Sequence, residues 1–162
     1  MRGYACVALH MPKSTVNIGS AMRAAFVYDA RMIVTSGRRY SPVCADTAKA
    51  YRHIPFLQTD NVFDAMPYDC VPVAVDLVDG ACPLPRYQHP ERAFYIFGPE
   101  DGTLGHNVID RCRDKIMVPT RMCMNLAATV NVILYDRLAK QKSAEASPEF
   151  RSHDQLGGRV DG

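Results

Sequence analysis

A chain of 162 residues is the size of one domain, which leaves little room for a separate substrate module. Its 48% apolar and 22% charged residues are an ordinary globular balance and exclude intrinsic disorder or a collagen-like repeat. Nineteen Lys and Arg against 17 Asp and Glu leave a formal charge of +2, too little to coat nucleic acid by charge alone, so any such contact has to come from local patches.

The chain opens with a short apolar run, Tyr4 to Leu9, too brief for a signal-peptide core and followed by no small-x-small cleavage site. No apolar run approaches about 18 residues, so a cytoplasmic protein without a membrane span is expected. Short apolar segments at Ala5–Leu9, Met32–Thr35, Cys70–Leu77, Ala93–Phe97 and Lys115–Val118, with a weaker one at Ile54–Thr59, alternate with helical patterns. That alternation predicts an α/β fold, a mostly parallel sheet flanked by helices.

Between the first two strands, Ile18, Ala21, Met22, Ala25 and Phe26 recur at helical spacing, and Asn17 stands where an N-cap would. Gly19 and Arg23 lie away from that stripe's centre, so an Arg projects beside a bare patch of backbone. A solvated Arg on a surface helix gives the same pattern. The loop Ser36–Asp46 carries Arg38, Arg39 and Tyr40; with Lys49, Tyr51 and Arg52 it makes a basic cluster with aromatic neighbours, suited either to RNA or to plain solvent exposure. A second long loop runs from Asp79 to Arg92.

The turn Gly98–Gly105 follows a strand and precedes apolar residues at helical spacing, Leu104, Val108, Ile109 and Cys112. It offers freed backbone amides and the Glu100 carboxylate at the edge where α/β sheets hold ligands. The last helix is expected from about 125 to 140, with Leu126, Ala127, Val130, Ile133, Leu134 and Leu138 facing the core, Tyr135 near that face, and Arg137 and Lys140 suiting the C-terminal dipole. Residues 1–141 then form the single domain and 142–162 a mobile polar tail.

Two nucleotide-binding classes are disfavoured. After Leu9 the chain reads His10-Met11-Pro12-Lys13-Ser14, which is no G-x-G-x-x-G turn, and the glycine-rich turn at 98–105 lacks the lysine of a P-loop. The six cysteines show no C-x-x-C pair and read as reduced thiols. A metal site from Cys70, Cys82 and His89 would lack tightly spaced ligands, so no metal is expected.

Three segments in fixed order carry a resemblance. Asn17-Ile18-Gly19-Ser20-Ala21-Met22-Arg23 resembles the first motif of the SpoU/TrmH branch of the SPOUT superfamily, RNA 2'-O-ribose methyltransferases. Phe97-Gly98-Pro99-Glu100 resembles the second motif, and Met124-Asn125-Leu126 the third; in size and wording the chain is most similar to the small TrmL-type tRNA enzymes.

The resemblance implies a deep C-terminal trefoil knot, S-adenosylmethionine as cofactor, an RNA substrate, tRNA above all, and a homodimer in which Arg23 approaches the partner's bound methyl group. It assigns Val75, Asp76, Leu77, Phe97, Gly98, Pro99, Val118, Cys123, Met124 and Leu126 to the cofactor. Arg23, Asn17, Glu100 and Asn125 fall to catalysis, Asn17 and Glu100 orienting Arg23, and Arg38, Arg39, Lys49 and Arg52 to RNA. Two departures stand out: the glycine of Gly102-Thr103-Leu104 sits one place early, and Cys123 replaces the usual serine. They leave a second reading, a catalytically impaired knotted RNA-binding protein.

Overall fold

The computed structural model describes residues 3–37 and 50–144. Seven strands form one sheet: β1 (Tyr4–Leu9), β2 (Met32–Ser36), β3 (Phe56–Thr59), β4 (Val71–Val75), β5 (Cys82–Pro83), β6 (Arg92–Phe97) and β7 (Asp114–Met117). Among the described residues three α-helices accompany them, α1 (Thr15–Val27), α2 (His106–Ile109) and α3 (Leu126–Ala144). All pairings are parallel, in the order β3-β2-β1-β6-β4-β7-β5.

Strand periodicity divides the core in two. Ala5, Val7 and Leu9 of β1 and Ala93, Tyr95 and Phe97 of β6 face the layer holding α1 and α3. Cys6, Ala8, Phe94 and Ile96 face the layer holding Leu104, Val108, Ile109 and Cys112 around α2. Burial on both faces is why the central strands read as unbroken apolar runs. The chain direction of strand addition reverses between β1 and β6, and such a switch point opens a crevice beyond the carboxyl ends of the strands.

Several local expectations change. Strand β4 stops at Val75, which leaves Asp76 and Leu77 in the following turn, and β5 is a two-residue strand containing Pro83 that no periodicity could signal. The N-cap of α1 is Ser14, whose side chain accepts from the Asn17 amide, so Asn17 is the third residue of the helix. Phe26 is 43% exposed and Tyr135 60%, outside the core that the stripes assigned them to. Arg137 is buried, donating to the carbonyls of Pro90 and Glu91 at 2.6 Å each instead of serving the helix dipole. Helix α3 runs on to Ala144, through the first three residues assigned to the tail; residues 145–162 lie outside those described, as do Arg38, Arg39, Cys44 and Lys49. Cys6, Cys70, Cys82, Cys112 and Cys123 are free thiols. No helix among the described residues is long and apolar enough to cross a membrane.

Candidate functional site

The carboxyl ends of β6, β4 and β7 lie side by side, and the turns that leave them surround a cavity of about 160 Å³, about 720 Å³ with its solvent-open mouth. Each strand supplies one wall from its carboxyl end: Val75, Asp76 and Leu77 at the end of β4, Phe97, Gly98, Pro99 and Glu100 at the end of β6, and Met117 and Val118 at the end of β7. Cys123, Met124 and Leu126 at the entry to α3 close the fourth side. All ten residues assigned to the cofactor by resemblance thus line one space. Gly102 of the second-motif turn lines it too, as do Met117, Thr120 and Thr129, which were not singled out; Thr129 stands three residues beyond Leu126 on α3, a spacing that could have marked it.

Two backbone features shape the β6 wall. A Cβ on Gly98 would sit 3.3 Å from the Leu104 amide nitrogen, so the turn folds back on itself closely there. Asp76 holds that fold: its Oδ2 accepts from Leu104 N at 2.8 Å and its Oδ1 from Leu77 N at 2.8 Å. The displaced glycine introduces no backbone strain. Thr103 is not among the residues with positive φ, and a Cβ on Gly102 would meet only Pro99 Cγ at an ordinary 3.6 Å.

The three motif segments are joined by one series of hydrogen bonds. Asn125 Oδ1 accepts from Ala127 N at 2.9 Å, capping α3, while its Nδ2 donates to Asn17 Oδ1 at 2.9 Å. Asn17 Nδ2 donates in turn to Glu100 Oε1 at 3.0 Å. Glu100 also accepts from Ser14 N at 3.1 Å and Lys13 N at 2.9 Å, which ties the start of α1 to the β6 turn. Burial alone would raise the Glu100 pKa, but the donors on Asn17, its own backbone, Lys13 and Ser14 outweigh it and hold the carboxyl below its ordinary value. Glu100 is therefore an anion near neutral pH and a poor proton acceptor.

Arg23 does not join this series. It is exposed on α1, does not line the cavity, and forms no hydrogen bond or ion pair among the described residues. Within one chain Asn17 and Glu100 bond each other, and neither bonds Arg23. Of the RNA assignments only Arg52 is described, exposed, with its guanidinium 5.9 Å from the Tyr51 ring centre. Cys123 is exposed at the cavity mouth. His10, one residue past β1, donates its amide to the Phe97 carbonyl at 2.9 Å and places Nδ1 3.2 Å from Ser36 Oγ; burial lowers its pKa and keeps the ring neutral. Among the described residues no three His, Cys, Asp or Glu side chains converge as metal ligands.

Residues 4–135 match the SpoU rRNA Methylase family. The chain belongs to that family. Among solved structures, the SpoU methyltransferase AviRb from Streptomyces viridochromogenes superposes with a TM-score of 0.80 at 18% identity, over 89% of this chain and 62% of that one. The same protein in complex with AdoMet gives 0.79 at 19% identity, over 88% and 60%. A structure described as giving insights into the 2-OH methylation of C/U34 on tRNA gives 0.74 at 20% identity, over 86% of this chain and 92% of that one. At these identities the likeness establishes the fold, and the SpoU chain spans about three fifths of the length of AviRb. Comparison with curated proteins gave no match.

Proposed function

We propose that this SpoU-family chain transfers a methyl group from S-adenosylmethionine to a ribose 2'-hydroxyl of RNA, with tRNA as the substrate class. The observation that carries the reading is the hydrogen-bond series from Asn125 through Asn17 to Glu100, which binds three distant motif segments together beside one cavity. The cavity suits the donor in chemistry. Val75, Phe97, Val118 and Leu126 offer an apolar bed for a purine, and the Asp76 and Glu100 carboxylates lie near enough to favour a cation. S-adenosylmethionine is itself cationic and is bound by AviRb in its AdoMet complex.

When bound, the donor supplies an electrophilic methyl group on a positively charged sulfur. The chain's own task is to place a hydroxyl in line with it and to stabilise the charge that develops on the oxygen. A guanidinium stays protonated, so Arg23 serves as a clamp on ribose and phosphate that stabilises that oxygen. Its outward position on α1, away from its own cavity, is what a homodimer needs if each Arg23 completes the partner's site. The reading also takes the segments after β6 and β7 to be threaded as a trefoil knot, and Arg38, Arg39, Lys49 and Arg52 to grip the RNA backbone.

The test is methylation of unmodified tRNA with isotopically labelled S-adenosylmethionine, followed by nucleoside mass spectrometry. Label in a 2'-O-methyl nucleoside is expected, with a loss of about tenfold or more for Arg23→Ala. Label on a base, or an Arg23→Ala variant as active as the parent, would reject the assignment.

A further inference from the structure

The methyl donor proposed above carries a sulfonium, an ammonium and a carboxylate, and the acidic walls of the cavity suit only the first two. The three turns that enclose it, 76–81, 98–105 and 118–125, hold the carboxylates of Asp76, Asp79, Glu100 and Asp101 and a single cation, Arg121. A ligand carboxylate among like charges is repelled, and beside the apolar bed it would be buried without a partner. The amino-acid end of the donor therefore belongs at the solvent-open mouth, against a cation.

Arg121 is placed to be that cation. Thr120 and Cys123, before and after it in the same loop, both line the cavity. Thr120 N donates to the Val118 carbonyl at 2.9 Å and Thr120 Oγ1 to the Met122 carbonyl at 2.7 Å, which bends the chain around Arg121 and fixes its backbone. Arg121 is exposed and forms no hydrogen bond or ion pair among the described residues. Lys13, whose amide donates to Glu100, is already paired, its Nζ 3.6 Å from Asp101. A guanidinium receives a carboxylate through two parallel N–H···O bonds. An RNA backbone would also suit a guanidinium, but with a charge at every phosphate it would meet the same carboxylates with one cation to offset them.

We infer that Arg121 binds the carboxylate of the donor's amino-acid portion and so selects donors that carry one. The inference rests on the methyl-transfer reading proposed above and adds a cofactor-binding residue to it. In the homodimer reading Arg23 comes from the second copy to the hydroxyl that takes the methyl group, so the two guanidiniums serve different groups.

The experiment is calorimetry of the full chain with S-adenosylmethionine and with decarboxylated S-adenosylmethionine, which keeps the sulfonium and the ammonium and lacks only the carboxylate. Arg121→Gln is expected to weaken S-adenosylmethionine binding by about three- to tenfold, between the effect of an exposed ion pair and that of a charge-assisted hydrogen bond. Binding of the decarboxylated donor should stay at the parent's level, which also reports that the variant is folded. Arg121→Lys, which keeps the charge without the paired donors, should fall between parent and Arg121→Gln. An equal loss for both donors in Arg121→Gln would overturn the assignment, as would a loss of tRNA binding with donor binding unchanged. Equal S-adenosylmethionine binding by parent and Arg121→Gln removes the inference alone. No binding of either donor by the parent removes the methyl-transfer reading and the inference with it.

Discussion

Asp76 shows how one side chain sets the form of the cavity. Both of its oxygens are engaged by backbone amides, Leu77 N on one and Leu104 N on the other, and its own amide donates to the Ile116 carbonyl at 3.0 Å. It thereby clasps the ends of β4, β6 and β7 together, and lining the cavity follows from that. Removing the carboxylate leaves the Leu104 amide without its acceptor beneath a side chain that is 1% exposed. Asp76→Ala is expected to lose about 1–3 kcal/mol in urea unfolding, and Asp76→Asn, which can satisfy only one of the two amides through its single carbonyl oxygen, about half of that. Calorimetry should show weaker S-adenosylmethionine binding in the same order. An Asp76→Ala protein as stable as the parent would mean that the turn keeps its path without the clasp.

At the scale of elements, α3 is fixed at both ends, by Asn125 at the cavity and by a buried polar group at its far end. Arg137 donates to Tyr95 Oη at 3.3 Å, Tyr95 Oη lies 2.6 Å from His89 Nδ1, and His89 Nε2 lies 2.8 Å from Asp136, which also pairs with Lys140 at 2.6 Å. Lys140 reaches on to the carbonyls of Leu84 and Tyr87, so the segment after β5 is fastened to the helix. Tyr95 donating to Nδ1 and Nε2–H donating to Asp136 is the pattern of a neutral imidazole. Burial lowers the His89 pKa more than the Asp136 hydrogen bond and charge raise it. The unfolded chain then takes up a proton as pH falls through about 6.5 while the folded chain resists it, so stability is full above that pH and declines below it until the folded pKa is reached. Urea unfolding between about pH 7.5 and about pH 5 should show a decline no steeper than about 1.4 kcal/mol per pH unit from this group, and a shallower one in His89→Gln. An unchanged slope in the variant would show that His89 does not titrate differently on folding. Very little of this was legible beforehand. A charged residue on a helical stripe reads as surface, and the carbonyls that draw Arg137 inward lie 46 and 47 positions away.

For the whole molecule, the sheet and the cavity were legible because they rest on signals that survive without tertiary context. Strands buried on both faces stay apolar throughout, and the turns at the carboxyl ends of β6 and β7 carry Gly98, Glu100 and Asn125 in a recognisable order. What escaped was long-range in origin. Asn17 reads as a cap because its amide side chain suits one, yet that side chain is committed to Glu100, 83 positions away, and Ser14 caps the helix instead. Phe26 fits the core stripe by spacing but faces outward onto His53 from the next segment. The same long-range ties give the last prediction its size. A ligand in the cavity touches the ends of three neighbouring strands and the start of α3, and through Glu100 and Asn17 it is coupled to α1, so unfolding any of these elements releases it. Binding only to the folded chain stabilises it by about 2.7 kcal/mol at a hundredfold excess over Kd, which for a domain of this size raises Tm by about 5–10 °C. S-adenosylmethionine should produce that rise in a thermal scan, and S-adenosylhomocysteine a comparable one, while ATP, which shares the adenosine but adds a run of phosphates to a cavity walled by Asp76 and Glu100, should produce little. A shift with ATP equal to that with S-adenosylmethionine would mean that the pocket selects adenosine alone and that its two carboxylates do not read the charge of the ligand.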